Sequence, residues 1–383
     1  MKPLPAKILL NDTRLNLLIG SGASRPHFSV LKNIERAFTL ADGLDSPEKV
    51  RYARMLCAKR YVDDVVGPEL FVASKSLLDK DSKCYTTMMG YENLFGVLSD
   101  LVAIRETPVT SKTINVFTTN YDTCMEHALE DLGILYNDGF VGHMNPRFDL
   151  ASYGISHRRQ SLQYEFVSEI PSFNLYKVHG SLNWALSNGI IELDATRQLA
   201  FECCRFAQGI SESEKPDVND LGAFQRHLES TDDFSLTLEQ EQFLDSYEKL
   251  VVVSPTKKKF EETLVDRNYY EMLRMMSNEL EKENALLFVI GFSFADEHIR
   301  EIVARALSQN PTLTVVVFSY SDVGARQIED YEEFCRLPYS NLQVINPAGL
   351  EVEYVDIAAV TDYLSKALPR HESSLEKGTE TDA

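Results

Sequence analysis

Short apolar runs along the chain end abruptly in turn-forming residues: Leu15–Gly20, Ile114–Asn120, Leu175–Gly180, Leu250–Pro255, Leu286–Phe292, Thr312–Ser319 and Leu342–Pro347. Runs of this length, apolar at consecutive positions and rich in β-branched residues, are the pattern of parallel strands buried on both faces. Between several of them the apolar period lengthens to that of a helix. Tyr121, Met125, Ala128, Leu129 and Leu132 form one stripe, and Ile299, Val303, Ala306 and Leu307 a second. Val265, Tyr269, Met272, Met276 and Leu280 form a third. Strand and helix in alternation predict an α/β fold, a doubly wound Rossmann-like parallel sheet.

Two stretches interrupt the alternation. Residues 28–110 read as mainly helical, with Leu94, Leu98, Leu101 and Val102 on one stripe, and predict a helical insertion between the first two strands. Residues 185–248 predict a second insertion. It opens on a hairpin at Asn188-Gly189, where the pair supplies the positive φ of a tight turn. It continues through the acidic stretch SESEKPDVND, expected to be an exposed loop. One domain over 1–370 then remains, followed by a tail, 371–383, with the composition of a disordered segment.

Composition narrows the class. The chain has 383 residues, 44% hydrophobic and 25% charged, as a globular protein does. No apolar run reaches the ~18 residues that span a bilayer, and the start, MKPLPAKILLNDTR, lacks a signal-peptide core. A cytoplasmic protein with no membrane contact is expected. The net charge of −20 opposes direct binding to nucleic acid, and the basic clusters Lys257–Lys259 and Arg158-Arg159 are too short to reverse that. Six cysteines, at 57, 84, 124, 203, 204 and 335, form no C-x-x-C pair, so neither a disulfide framework nor a structural zinc is expected.

Candidate chemistry gathers where strands end. Gly20-Ser21-Gly22-Ala23-Ser24 follows the first run; small residues there allow close backbone approach to a pyrophosphate. The third glycine of a G-x-G-x-x-G fingerprint is replaced by Arg25, so a plain strand-to-helix turn is an equal reading. Thr118-Thr119-Asn120-Tyr121-Asp122 follows the second run; Asn120 suits an N-cap and Asp122 the first turn of a helix. His179-Gly180 ends the third, where the ring is either a structural side chain or a base. Gly291-Phe292-Ser293-Phe294-Ala295-Asp296 ends the fifth, with Ser293 and Asp296 spaced as a capping box. An open α/β sheet binds its ligand at that edge, so the four segments should converge on one cleft.

Taken in order, GSGAS, TTNYD, KVHGS and GFSFADEHI resemble the motifs of the sirtuins, and more closely the prokaryotic sirtuin-like branch. The resemblance implies NAD as substrate, with Gly20, Ser21, Gly22, Ala23 and Ser24 along its phosphates. It implies Thr118, Thr119, Asn120 and Asp122 around the nicotinamide ribose and carboxamide, and Gly291 and Ser293 by the adenosine half. Asn120 and His179 would be catalytic, the first orienting a water or the ribose hydroxyls and the second taking a proton. Protein-deacylating sirtuins carry paired C-x-x-C zinc ligands, which this chain lacks. Zinc-less sirtuin-like proteins resemble bacterial defence NADases, which deplete NAD in infected cells. That resemblance implies a homo-oligomer gated by a partner, a HerA-type hexameric ATPase or a short Argonaute. An NAD-dependent deacylase or ADP-ribosyl transferase, and a non-catalytic NAD- or ADP-ribose-binding subunit, are the competing expectations.

Overall fold

The computed structural model describes residues 13–30, 32–105, 111–163, 167–210, 217–253, 264–337, 341–366 and 368. Its central sheet comprises β1 (Arg14–Ile19), β2 (Thr113–Thr118), β3 (Leu135–Asn137), β4 (Ser172–Lys177), β5 (Ala285–Ile290), β6 (Thr314–Phe318) and β7 (Leu342–Ile345). Their spatial order is β7-β6-β5-β1-β2-β4-β3, and every neighbouring pair is parallel. The chain winds outward from β1 on one side and then returns to build β5 to β7 on the other. This is the doubly wound α/β sheet expected, with its switch point at β1.

Alternate residues of each strand enter opposite cores, which is why the runs read as continuously apolar. Leu15, Leu17, Ile19, Leu286, Phe288 and Ile290 face one core, shared with helices Lys83–Ala103, Cys124–Asp131 and Ile357–Ser365. Leu18, Leu287, Val289, Val315 and Val317 face the other, shared with helices Leu264–Leu280 and Glu297–Gln309. An asparagine ladder crosses the middle strands: Asn115 Nδ2 donates to Asn16 Oδ1 and Asn174 Nδ2 to Asn115 Oδ1, each at 3.0 Å. Those three residues are direct register partners, so a one-residue slip would leave the buried amides of Asn16 and Asn174 unpaired. The ladder thereby fixes the level at which the loops after β1, β2 and β4 emerge.

Several expectations change. Leu250–Val253 forms no strand; only Val252 makes a bridge, to Gly180, and residues 254–255 lie outside the described residues. Its polar groups serve the turn after β4, where Val253 N donates to His179 O at 2.7 Å and Ser181 N to Val251 O at 3.2 Å. Strand β3 was too short to read. The hairpin stands at Trp184–Ser187 and Ile190–Leu193, with Asn188 at φ 50° and Gly189 at φ 76°. Beyond it lie three helices that the pattern did not announce, Gln198–Gln208, Leu221–Ser230 and Leu238–Tyr247. They pack with helices Lys32–Asp42 and Pro47–Tyr61 into a third apolar cluster. Helix Lys83–Ala103, by contrast, lies against the sheet. The segments 106–110, 211–216 and 371–383 fall outside the described residues. Among the described residues no helix is long and apolar enough to cross a membrane.

Candidate functional site

The loop after β1 is locked to the loop after β5 by contact of backbone with backbone. Gly22 N donates to Gly291 O at 2.9 Å, and Gly20 N to Ile290 O at 3.0 Å. A Cβ on Gly20 would stand 2.6 Å from Gly291 O, and one on Gly291 (φ +63°) 2.2 Å from Ala23 N. The small residues of the first loop are therefore required by the fold, and Ser21–Ser24 closes there as a single 3₁₀ turn. Gly22 N–H is committed within the protein, and so is Ala23 N–H, which donates to Gly20 O at 3.0 Å.

Beneath this turn lies a buried polar cluster. Asn120 is 3% exposed, and its Nδ2 donates to Gly20 O (3.2 Å), Ser24 Oγ (2.9 Å) and Tyr91 Oη (3.3 Å). Ser24 Oγ donates to Asp122 Oδ2 at 2.7 Å. Asn120 Oδ1 is buried with no hydrogen-bond partner. Asn120 is thus not the cap of the following helix; that position belongs to Thr123, before Cys124–Asp131. Thr118 Oγ1 donates to Ile19 O at 2.9 Å and accepts from Asn120 N at 3.0 Å, while Thr119 N donates to Ile19 O at 3.3 Å. The threonines therefore clamp β2 to β1.

Charged groups that the pattern did not reveal support this cluster from below. Lys177, 1% exposed, pairs with Glu126 at 3.1 Å and donates to the carbonyl of Asp122. Burial works against its charge, yet Glu126 and Asp122 hold the ammonium above its ordinary value. A lysine inside the apolar run Leu175–Val178 was the available signal. Glu69, fully buried, accepts from Thr123 Oγ1 at 2.5 Å, Thr123 N at 3.2 Å and Arg197 Nη1 at 3.2 Å. Burial, reinforced by the charge of Asp122, lifts its carboxyl to about 7.

His179 sits in different company. Lys177 pairs in register with Thr118, so His179 and Asn120 each lie two residues beyond the same level on neighbouring strands. Their side chains have different partners, Gly20, Ser24 and Tyr91 for Asn120 and Asp296 for His179. The imidazole packs near the Tyr121 ring, centroids 6.4 Å apart, and its Nε2 lies 3.2 Å from Asp296 Oδ2. Gly180, at φ +83°, lets the chain turn away: a Cβ would meet Val251 O at 2.2 Å. Asp296 also caps helix Glu297–Gln309, its Oδ1 accepting from His298 N (3.0 Å) and Ile299 N (3.2 Å). The capping box with Ser293 is therefore corrected: Asp296 is itself the cap, and Ser293 is exposed and joins neither group. Burial opposes ionisation of Asp296, but the hydrogen bond and charge of His179 hold its carboxyl at about 2.

The edge thus offers a buried acceptor without a partner beside the first loop, Asn120 Oδ1, with two more behind it at Glu126 Oε2 and in the loop after β4 at Asn183 Oδ1, and one partly exposed imidazole backed by a carboxylate. An acceptor of that kind suits a hydroxyl or water donor, and the imidazole suits proton transfer. Among the described residues no group of three or more His, Cys, Asp or Glu could hold a metal ion. The family model of the SIR2-like domain matches residues 114–203 and 237–344, more than half of the chain. No curated protein matches it.

Proposed function

The chain belongs to the SIR2-like family, whose members are typically NAD-dependent enzymes, and from that premise we propose that it is an NAD+ hydrolase. It would cleave the nicotinamide–ribose bond to give nicotinamide and ADP-ribose. Nicotinamide leaves as a neutral base, so the site needs no strong general acid; it needs a held ribose and one water. The observation that carries the reading is the orphaned Asn120 Oδ1, level with His179 on the adjacent strand. A ribose hydroxyl or water would satisfy that oxygen, at a group whose isolation otherwise costs ~1–3 kcal/mol. Because Asn120 Nδ2 is spent on the first loop, its carbonyl is the part left for substrate. His179 takes the proton of the attacking water.

In this reading the enzyme depletes NAD in anti-phage defence, is held in check until a partner engages it, and works in the cytoplasm as an oligomer. The partner expected from the resemblance is a HerA-type ATPase, or a short Argonaute. A net charge of −20 supports docking on a basic protein surface rather than on DNA.

The test is chromatographic assay of nicotinamide and ADP-ribose, with the chain alone and with the ATPase and DNA. Equimolar release is expected, and His179→Ala should lower it at least ~100-fold with the melting temperature preserved. Asn120→Ala should lower turnover comparably and melt earlier, because two hydrogen bonds to the first loop and one to Tyr91 go with it. Wild-type turnover in His179→Ala would remove the assignment. O-acyl-ADP-ribose formed from an acyl-peptide would instead make the chain a deacylase. Calorimetric NAD binding with no turnover under any condition would make it a binding subunit.

A further inference from the structure

We infer that Asp296 is a positioning residue that holds His179 as the Nε2–H tautomer, so that Nδ1 is the atom that takes the proton. The inference rests on the reading of His179 as base. Its ground is the division of labour between the two carboxylate oxygens. Oδ1 is occupied by the backbone amides of His298 and Ile299, as any N-cap would be. Oδ2 contributes nothing to that cap; it lies 3.2 Å from His179 Nε2, on a side chain 25% exposed beside a ring 20% exposed. An ionised carboxylate accepts and cannot donate, so Nε2 must carry the hydrogen. The ring's contact with Asp296 is made through Nε2, which leaves Nδ1 as the nitrogen for the reaction.

The turn before Asp296 is built to hold this aim. Phe294 is fully buried at φ 58°, a conformation a bulky side chain rarely keeps without support. Support comes from Arg300, whose Nη1 donates to Phe294 O at 2.7 Å while its Nε donates to Glu333 at 3.0 Å. Among the described residues, ionisable neighbours of the pair include His298 beside Asp296, Tyr121 beside the imidazole, with Glu35 near it, and Tyr269, whose Oη lies at Gly180. At 3.2 Å, Nε2 and Oδ2 are in direct contact.

The step balances simply. Water oxygen bonds to ribose C1′ as the C1′–N bond breaks and its electron pair leaves on nicotinamide. The water proton passes to Nδ1, and the resulting imidazolium charge faces the Asp296 carboxylate. The carboxylate therefore lowers the barrier in two ways, by tautomer and by charge, without touching the substrate.

Asp296→Asn separates this role from capping, since asparagine is an equally good N-cap. Its amide offers a donor toward Nε2, which drives the ring to the Nδ1–H form. The readout is 15N NMR of the chain labelled at histidine, with His179→Ala to assign the resonance, together with steady-state kinetics. Wild type is expected to show Nε2 protonated and Nδ1 bare. Asp296→Asn is expected to reverse that, lowering kcat at least ~100-fold with KM within about threefold. A wild-type ring with its proton on Nδ1, an unchanged tautomer in the variant, or kcat within threefold of wild type would each overturn the inference. Should wild type release no nicotinamide with its partner, the hydrolase reading fails, while the NMR still decides whether Asp296 sets the tautomer.

Discussion

At the scale of single residues, the site depends on places where a side chain would not fit. Gly291→Ala would drive a methyl to 2.2 Å from Ala23 N at a φ of +63°, so the first loop must move off the sheet edge. The backbone strain alone costs ~1–3 kcal/mol. We expect a lower melting temperature and at least tenfold weaker calorimetric binding of ADP-ribose. Gly96→Ala is the control: nothing lies within 4 Å of its added Cβ, inside helix Lys83–Ala103, and it should stabilise by ~0.4–1 kcal/mol. Equal behaviour of the two would show that the loop contact is unimportant. The glycines, Asn120 and His179 were legible in the chain because each terminates an apolar run, and a run's end marks the ligand edge. Asp296 was visible only as the partner of Ser293 in a capping box. One of its oxygens does cap; the use of the other depends on a turn far away in sequence, which no local pattern encodes.

At the scale of elements, the strands were legible and the helices of 198–247 were not, for a physical reason. In Gln198–Gln208 the buried positions are Ala200, Cys203, Cys204 and Ala207, small residues that write no strong stripe. The same region supplies Arg197, whose Nη1 also reaches Glu69 O (2.8 Å) and Val72 O (2.9 Å) and so ties this helix to the Thr123 turn. Glu69 makes that tie sensitive to pH. Its folded value of about 7 lies above the unfolded 4.5, so the native state binds more protons between them. Its contribution to stability is complete below pH 4.5, falls as pH rises, and is gone above 7, a change of about 3 kcal/mol. Glu69→Gln removes that component. Denaturant titrations from pH 5 to 7.5 should show wild-type stability declining more steeply than that of the variant; parallel profiles would mean Glu69 is ionised throughout.

At the scale of the whole molecule, the described residues form three apolar clusters, and the third meets the sheet at informative points. That cluster joins helices Lys32–Asp42 and Pro47–Tyr61 to the helices of 198–247. The members it draws from the sheet's ligand edge are Tyr121, next to Asn120, and Leu182, three residues beyond His179. The helical arm therefore packs on the loops that carry the candidate chemistry, with Tyr61 edge-on to Tyr121 at 5.9 Å. A partner gripping the arm would act on both loops without touching the substrate. Phe224, fully buried in this cluster, tests the connection from a distance. Phe224→Ala should cost ~3–5 kcal/mol locally by leaving a cavity. Hydrogen exchange is then expected to quicken in residues 34–66, 200–210 and 217–250 and in both loops, while Leu286–Ile290 and Val315–Phe318 keep their protection. Nicotinamide release should fall with it. Uniform quickening of arm and sheet would mean the two open as one unit, and the loops could not be driven separately from the arm.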